Sequence, residues 1–229
     1  DIDQYLDMSA GCSLRNVQIN KSDPYKVIIA NYNDNLITGA LTIVGGGLKI
    51  HLQTYLKVEG LFNVYNAFVE MSHSEAVIEC DSILWHAGST AAFTAGTLLV
   101  HAALRFTADA NIDLPPSVTV KLENSSTYVL VSPWIAGTMD LRLGTLIIGS
   151  ATAPTEVRID PNQLSILSIL LSGDLAINAG SKLSTFGSDL KVEGEGILYG
   201  WLDINGGGTT IVHGRPWFAE NSKLSITNN

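Results

Sequence analysis

Positive charge is scarce in this sequence. Thirteen Lys and Arg among 229 residues stand against 22 Asp and Glu, a net of −9, and they fall singly along the chain. A surface that grips nucleic-acid phosphates needs such residues clustered, so DNA and RNA are excluded as partners. Charge of either sign amounts to only 15% of residues, against about a quarter in ordinary soluble domains. With 46% hydrophobic residues, the composition argues against disorder. Long apolar runs are missing as well, and without a stretch of about 18 no segment spans a membrane as a helix.

Cysteine is nearly absent. Cys12 and Cys80 lie 68 residues apart, which fits neither a CxxC redox motif nor a zinc site. A bridge between them would have to span about three coils of the repeat described below, further than a disulfide reaches, so two buried thiols are expected. The five histidines form no HxH or HExxH pattern, which excludes a transition-metal site of those kinds. The glycine triplets 45–47 and 206–208 are not followed by the Lys-Ser/Thr of a phosphate loop, and no GxSxG elbow occurs. A regular file of Thr-x-Thr, which an ice-binding face would need, is missing too. No cofactor is expected. The opening residues 1–4 lack a starting Met and the basic and apolar regions of a signal peptide, as in a mature chain or a segment excised from something longer.

What the sequence does have is a repeat. Apolar pairs separated by one residue return at Leu41/Ile43, Phe62/Val64, Ile83/Trp85 and Leu104/Phe106, at intervals of 21. A second series runs Leu56/Val58, Val77, Leu98/Val100, Val118/Val120, and a third Leu48/Ile50, Val69/Met71, Ala91 to Phe93, Ile112/Leu114. In a strand, positions i and i+2 share a face, so each pair marks a short strand with two side chains turned inward. Three series per repeat mean three strands per coil of about 21 residues. One coil cannot bury its own apolar face, so the fold exists only as a stack. Tight corners need residues that tolerate positive φ, and Gly45 to Gly47, Gly60, Gly88 and Gly96 fall where corners are due.

The expected architecture is therefore all-β: a right-handed parallel β-helix of roughly ten coils, filling residues 1–229 as a single domain. Right-handed crossovers dominate parallel sheets, which sets the handedness. Earlier residues supply the first coils, and the polar run 31–35 is expected to be a turn or a loop leaving the stack. Pro115 and Pro116 must occupy a corner or an edge, because they cannot donate to a sheet. Beyond residue 124 the phase slips, and loops at 124–127 and 150–155 would account for it. Residues 160–173 read two ways: Asp160 and Pro161 suit a helix start and Gly173 its end, while Leu164 and Ile166 alternate as in a strand. Two echoes support kinship between coils, 39–47 with 200–208 and 56–60 with the identical 190–194.

Coil length and apolar pairs over most of the chain resemble the parallel β-helix, or pectin-lyase-like β-solenoid, superfamily, which includes polysaccharide lyases, phage tailspikes and secreted adhesins. The resemblance implies a secreted or cell-surface setting and frequent dealings with carbohydrate. Polysaccharide-cleaving enzymes on this fold converge two or three charged groups on an outer face, because a uronate or a leaving group must be neutralised or protonated. Glu59, Glu79 and Asp81, with His101 extending the row, are the candidates for such a site, Glu59 and Glu79 being 20 residues apart. Glu193, Glu195 and Asp203 form a second acidic group among glycines. No Asp/Asn-rich loop surrounds either set, so calcium is not indicated.

Sugar binding would use exposed aromatic faces, for which Trp134, Trp201 and Trp217 are candidates. Trp201 immediately precedes the inward pair Leu202/Ile204 and so faces outward. Asn20 and Asn124 head glycosylation sequons at expected turns. With no convergent catalytic set, the sequence favours a non-enzymatic module serving adhesion, assembly or spacing. The alternative is a carbohydrate-active enzyme, or a carbohydrate-binding module with Trp201 and His101 as ligand contacts. The mean hydropathy of +0.23 points to self-association or to flanking domains as partners, alongside glycans.

Overall fold

A computed structural model describes residues 3–6, 12–29, 34–124, 126–134, 138–160 and 166–227. Among them there is no helix, and parallel strands stack into a right-handed parallel β-helix of about nine turns. Three faces run along it. The first carries Ser13–Leu14, Asp34–Ile37 and their successors to Pro216–Phe218; the second runs from Val17–Asn20 to Lys223–Thr227. The third begins at Gln4–Leu6 and ends at Thr210–Val212, its two halves joined by a single bridge between Asp113 and Arg142.

The apolar pairs form the core as their spacing requires. Leu41 lies beside Phe62, Phe62 beside Ile83 and Ile83 beside Leu104, each essentially inaccessible to solvent. On the third face Leu48, Val69, Ala91 and Ile112 follow in register. In three coils the strands of the first two faces run together through the bend between them, as Tyr55–Tyr65, Val77–Trp85 and Gly96–Phe106. Glycine at this bend answers a spatial need: a Cβ on Gly60 would sit 2.8 Å from the carbonyl oxygen of Gly39 in the coil before. Gly88, by contrast, serves a backbone need, with φ at +72°. In the last described turn the residues in register with inward Leu198, Leu202 and Ile204, namely Phe218, Leu224 and Ile226, are 48%, 49% and 66% exposed.

Several expectations are corrected. Strict spacing places Val77 inward, but Ile78 is the residue in register with Leu56 and Leu98 and is fully buried, while Val77 is half-buried. The coil gains one residue before this strand and loses it at the following bend, where Asp81 alone replaces the two-residue corners 59–60 and 101–102 and the register shifts between Cys80 and Ser82. A strict count of 21 misses such a compensated slip. The polar run 31–35 does not simply leave the stack, since Asp34–Ile37 is a strand and Asn35 is buried at an inward position with its Nδ2 donating to the Tyr55 carbonyl at 3.2 Å. Residues 31–33 lie outside the described ones.

The coils between 120 and 175 are longer, with Val120 beside Leu146 and Leu146 beside Leu175, steps of 26 and 29 residues, and the step then returns to 21 from Leu175 to Gly196. In the ambiguous 160–173 stretch, Ile166–Leu171 is a strand of the third face, and 161–165 lie outside the described residues. Of the two echoes, 39–47 and 200–208 occupy the same face, through Leu41–Val44 and Trp201–Asn205. The identical words at 56 and 190 do not: one is on the first face and the other on the third. Cys80 is a buried free thiol, pushed up in pKa mainly by burial, but Cys12 is exposed.

Candidate functional site

The sequence candidates meet only in part. Glu79 does not lie beside Glu59, because the longer coil puts Lys57 opposite Glu79 on one side and Leu99 on the other. Around Glu79 a compact network forms instead. Tyr55 donates its hydroxyl proton to the carboxylate, Lys57 Nζ stands at 3.2 Å, and His101 Nε2 stands at 3.2 Å. The other imidazole nitrogen, Nδ1, is 2.6 Å from the Glu123 carbonyl oxygen, an acceptor only, so His101 donates there.

Next along the row, Glu123 takes Lys121 at 2.6 Å and the Ser150 hydroxyl. Serine and histidine are both present, yet Ser150 bonds the carboxylate and His101 faces the main chain of Glu123, so no nucleophile and base are paired. Asn124 locks the corner, its Nδ2 donating to the His101 carbonyl at 2.6 Å and to Thr127 Oγ1 at 3.0 Å. That nitrogen is the one a glycan would require, which sets its packing against use of this sequon. Glu59 and Asp81 are exposed at the bend, outside the network.

Burial pushes the Glu79 carboxyl up, but the hydrogen bonds from Tyr55, Lys57 and His101 and the Lys57 charge outweigh it and hold the group below the ordinary carboxylate range. Glu123 behaves alike, with burial opposed by Lys121 and Ser150, and so does Glu70 between Lys49 and Lys26 at 2.5 and 3.2 Å. His86, stacked on Tyr65 at 3.6 Å, is held below its ordinary 6.5 by burial.

Each depressed carboxylate stabilises the fold fully above the unfolded value near 4.5 and loses that contribution as pH falls through the lower folded value; neutral His86 likewise favours the fold until pH drops below about 6.5. The melting temperature is therefore expected to decline gently below about pH 6.5 and steeply below about pH 4.5. Calorimetry across that range should show a shallower acid limb for Glu79→Gln.

The second acidic group is dispersed. Glu193 pairs with Lys191 at 2.6 Å, Asp203 with Lys182 at 2.8 Å on another face, and the Glu195 main-chain N–H donates to Asp174 at 2.8 Å. No group of three metal-ligating side chains converges among the described residues.

Trp201 does face outward, at 37% exposure, while Trp85 is buried. Its place in the sheet is between Lys182 and Lys223 of the adjoining coils, whose ammonium groups lie 4.2 and 5.6 Å from the indole ring. Across Gly200, Tyr199 and Trp217 meet edge to face at 5.0 Å. Charge–aromatic columns of this kind escape a search for apolar pairs; the 19- and 22-residue spacing of lysine about Trp201 is their sequence trace.

Trp134, 49% exposed, borders a groove of about 480 Å³ with Asp81, Leu61, Leu84 and Arg105. Comparison with protein-family models, curated proteins and solved structures finds no match to this chain.

Proposed function

We propose that this chain is a non-enzymatic β-solenoid module of pectin-lyase-like architecture, belonging to a secreted or cell-surface protein and serving adhesion, assembly or spacing. The observation that carries this reading is the state of Glu79: the best-placed carboxylate of the outer row is occupied by Tyr55, Lys57 and His101. A general acid or base needs a free lone pair or a transferable proton aimed at substrate, whereas this carboxylate ties three coils together. Stacked strands with apolar side chains at most inward steps, each contributing roughly 1.5–3 kcal/mol, make a stiff rod.

A panel of neutral and acidic polysaccharides incubated with the protein tests this. No new reducing ends or unsaturated products are expected, and cleavage abolished by Glu79→Gln would overturn the proposal. A second reading, glycan binding without catalysis, is favoured by the exposed Trp201 between two lysines. It predicts retention of a polysaccharide from the same panel that Trp201→Ala abolishes.

A further inference from the structure

We propose that the groove between Asp81 and Trp134 binds a small organic acid with an apolar or aromatic body, its carboxylate held by Arg105. The site is independent of the module's role as a rod.

The groove crosses several coils just past the bend between the first two faces, where outward residues of the second face come into register. Leu61, Ser82 and Ala103 share one row, and Leu84, Arg105 and Ser132 the next. Leu84 faces outward by alternation between the inward Ile83 and Trp85, yet is only 5% exposed. An outward leucine so well covered marks a recess in the surface, with Leu61 and Ala103 continuing its apolar lining. A volume of about 480 Å³ lies within the range of small-molecule sites.

Arg105 supplies the polar anchor. Its Nε is buried without a hydrogen-bond partner, although a guanidinium in a protein stays protonated and every N–H on it seeks an acceptor. The Trp134 ring, 5.0 Å from the guanidinium carbon, fixes the plane of the fork without using its donors. A carboxylate entering from the groove meets the open end of the fork and accepts from its two terminal nitrogens together, a bidentate geometry arginine favours. An apolar body then covers Leu61 and Leu84 and meets the indole. Asp81 on the rim opposes an anion, so the site selects a single compact charge over a polyanion.

Isothermal titration with 1-naphthoate and its uncharged isostere 1-naphthamide tests the proposal. One saturable site with Kd on the order of 0.1–1 mM for the acid is expected, with the amide about tenfold weaker. Arg105→Gln is expected to erase the difference between acid and amide, and Asp81→Asn to tighten the acid about two- to fivefold. Both side chains point away from the core, and an unchanged circular dichroism spectrum confirms folding of each variant. Trp201→Ala is expected to leave binding intact. The proposal is overturned by absence of saturable binding, by equal affinity for acid and amide in the parent protein, by an acid preference that survives Arg105→Gln, or by binding that Trp201→Ala removes.

Discussion

Replacing Trp85 by alanine is expected to destabilise the protein by about 3–5 kcal/mol in chemical denaturation. Trp85 is 1% exposed, stands between Val64 and Phe106 of the adjoining coils, and meets Phe93 across the core edge to face at 6.1 Å. Removing the indole leaves a void that borders three coils at once. The walls cannot close on it cheaply, because each is a strand hydrogen-bonded to both neighbours. Trp201→Ala provides the contrast: that ring is exposed and its partners are two lysines, so a cost of about 1 kcal/mol or less is expected. Comparable losses at the two sites would contradict the inward and outward assignments.

The second large effect concerns register. Ile78→Asp is expected to cost at least about 4–5 kcal/mol, enough to prevent folding, because it buries a carboxylate where no donor waits. Val77→Asp, one residue earlier, is expected to fold with a loss of about 1 kcal/mol. Soluble expression and thermal melting of the two variants side by side decide the matter. A tolerated Ile78→Asp with a lethal Val77→Asp would restore the strict 21-residue spacing and contradict the observed pairing with Leu56 and Leu98.

That pair of residues also shows how far the sequence could be read. Periodicity revealed three strands per coil, the parallel stacking and the inward placement of Phe62, Ile83 and Trp85, since all follow from the two-residue period of a strand. It failed where a slip cancels within one coil, at Val77 and Ile78, and where polarity disguised a strand, at Asn35, whose burial rests on a hydrogen bond to Tyr55 that composition cannot announce. The outer row was legible as a region but not as a network. Counting 20 residues from Glu59 to Glu79 presumed a uniform corner, whereas the one-residue bend at Asp81 shifted the column and brought Lys57 alongside. His101 meets Glu79 alone of the expected row, and its bond to the Glu123 main chain depends on the third dimension. Arg105 was missed altogether, because neither its lone charge nor its neighbours in sequence distinguish it.

The stacking of coils sets the order in which parts of the chain open. A strand in the middle of the stack is released only if contacts to the layers on both sides fail together, whereas a terminal strand has one such neighbour to lose. Amide protons on the strands of 56–106, which have coils stacked on both sides, should therefore exchange with deuterium last and by a common opening event. Those of Asn111–Ile112, paired on one side and joined to the next coil only through the Asp113–Arg142 bridge, should exchange earlier, so protection is expected to vary along the axis instead of dividing the molecule into a slow interior and a fast surface.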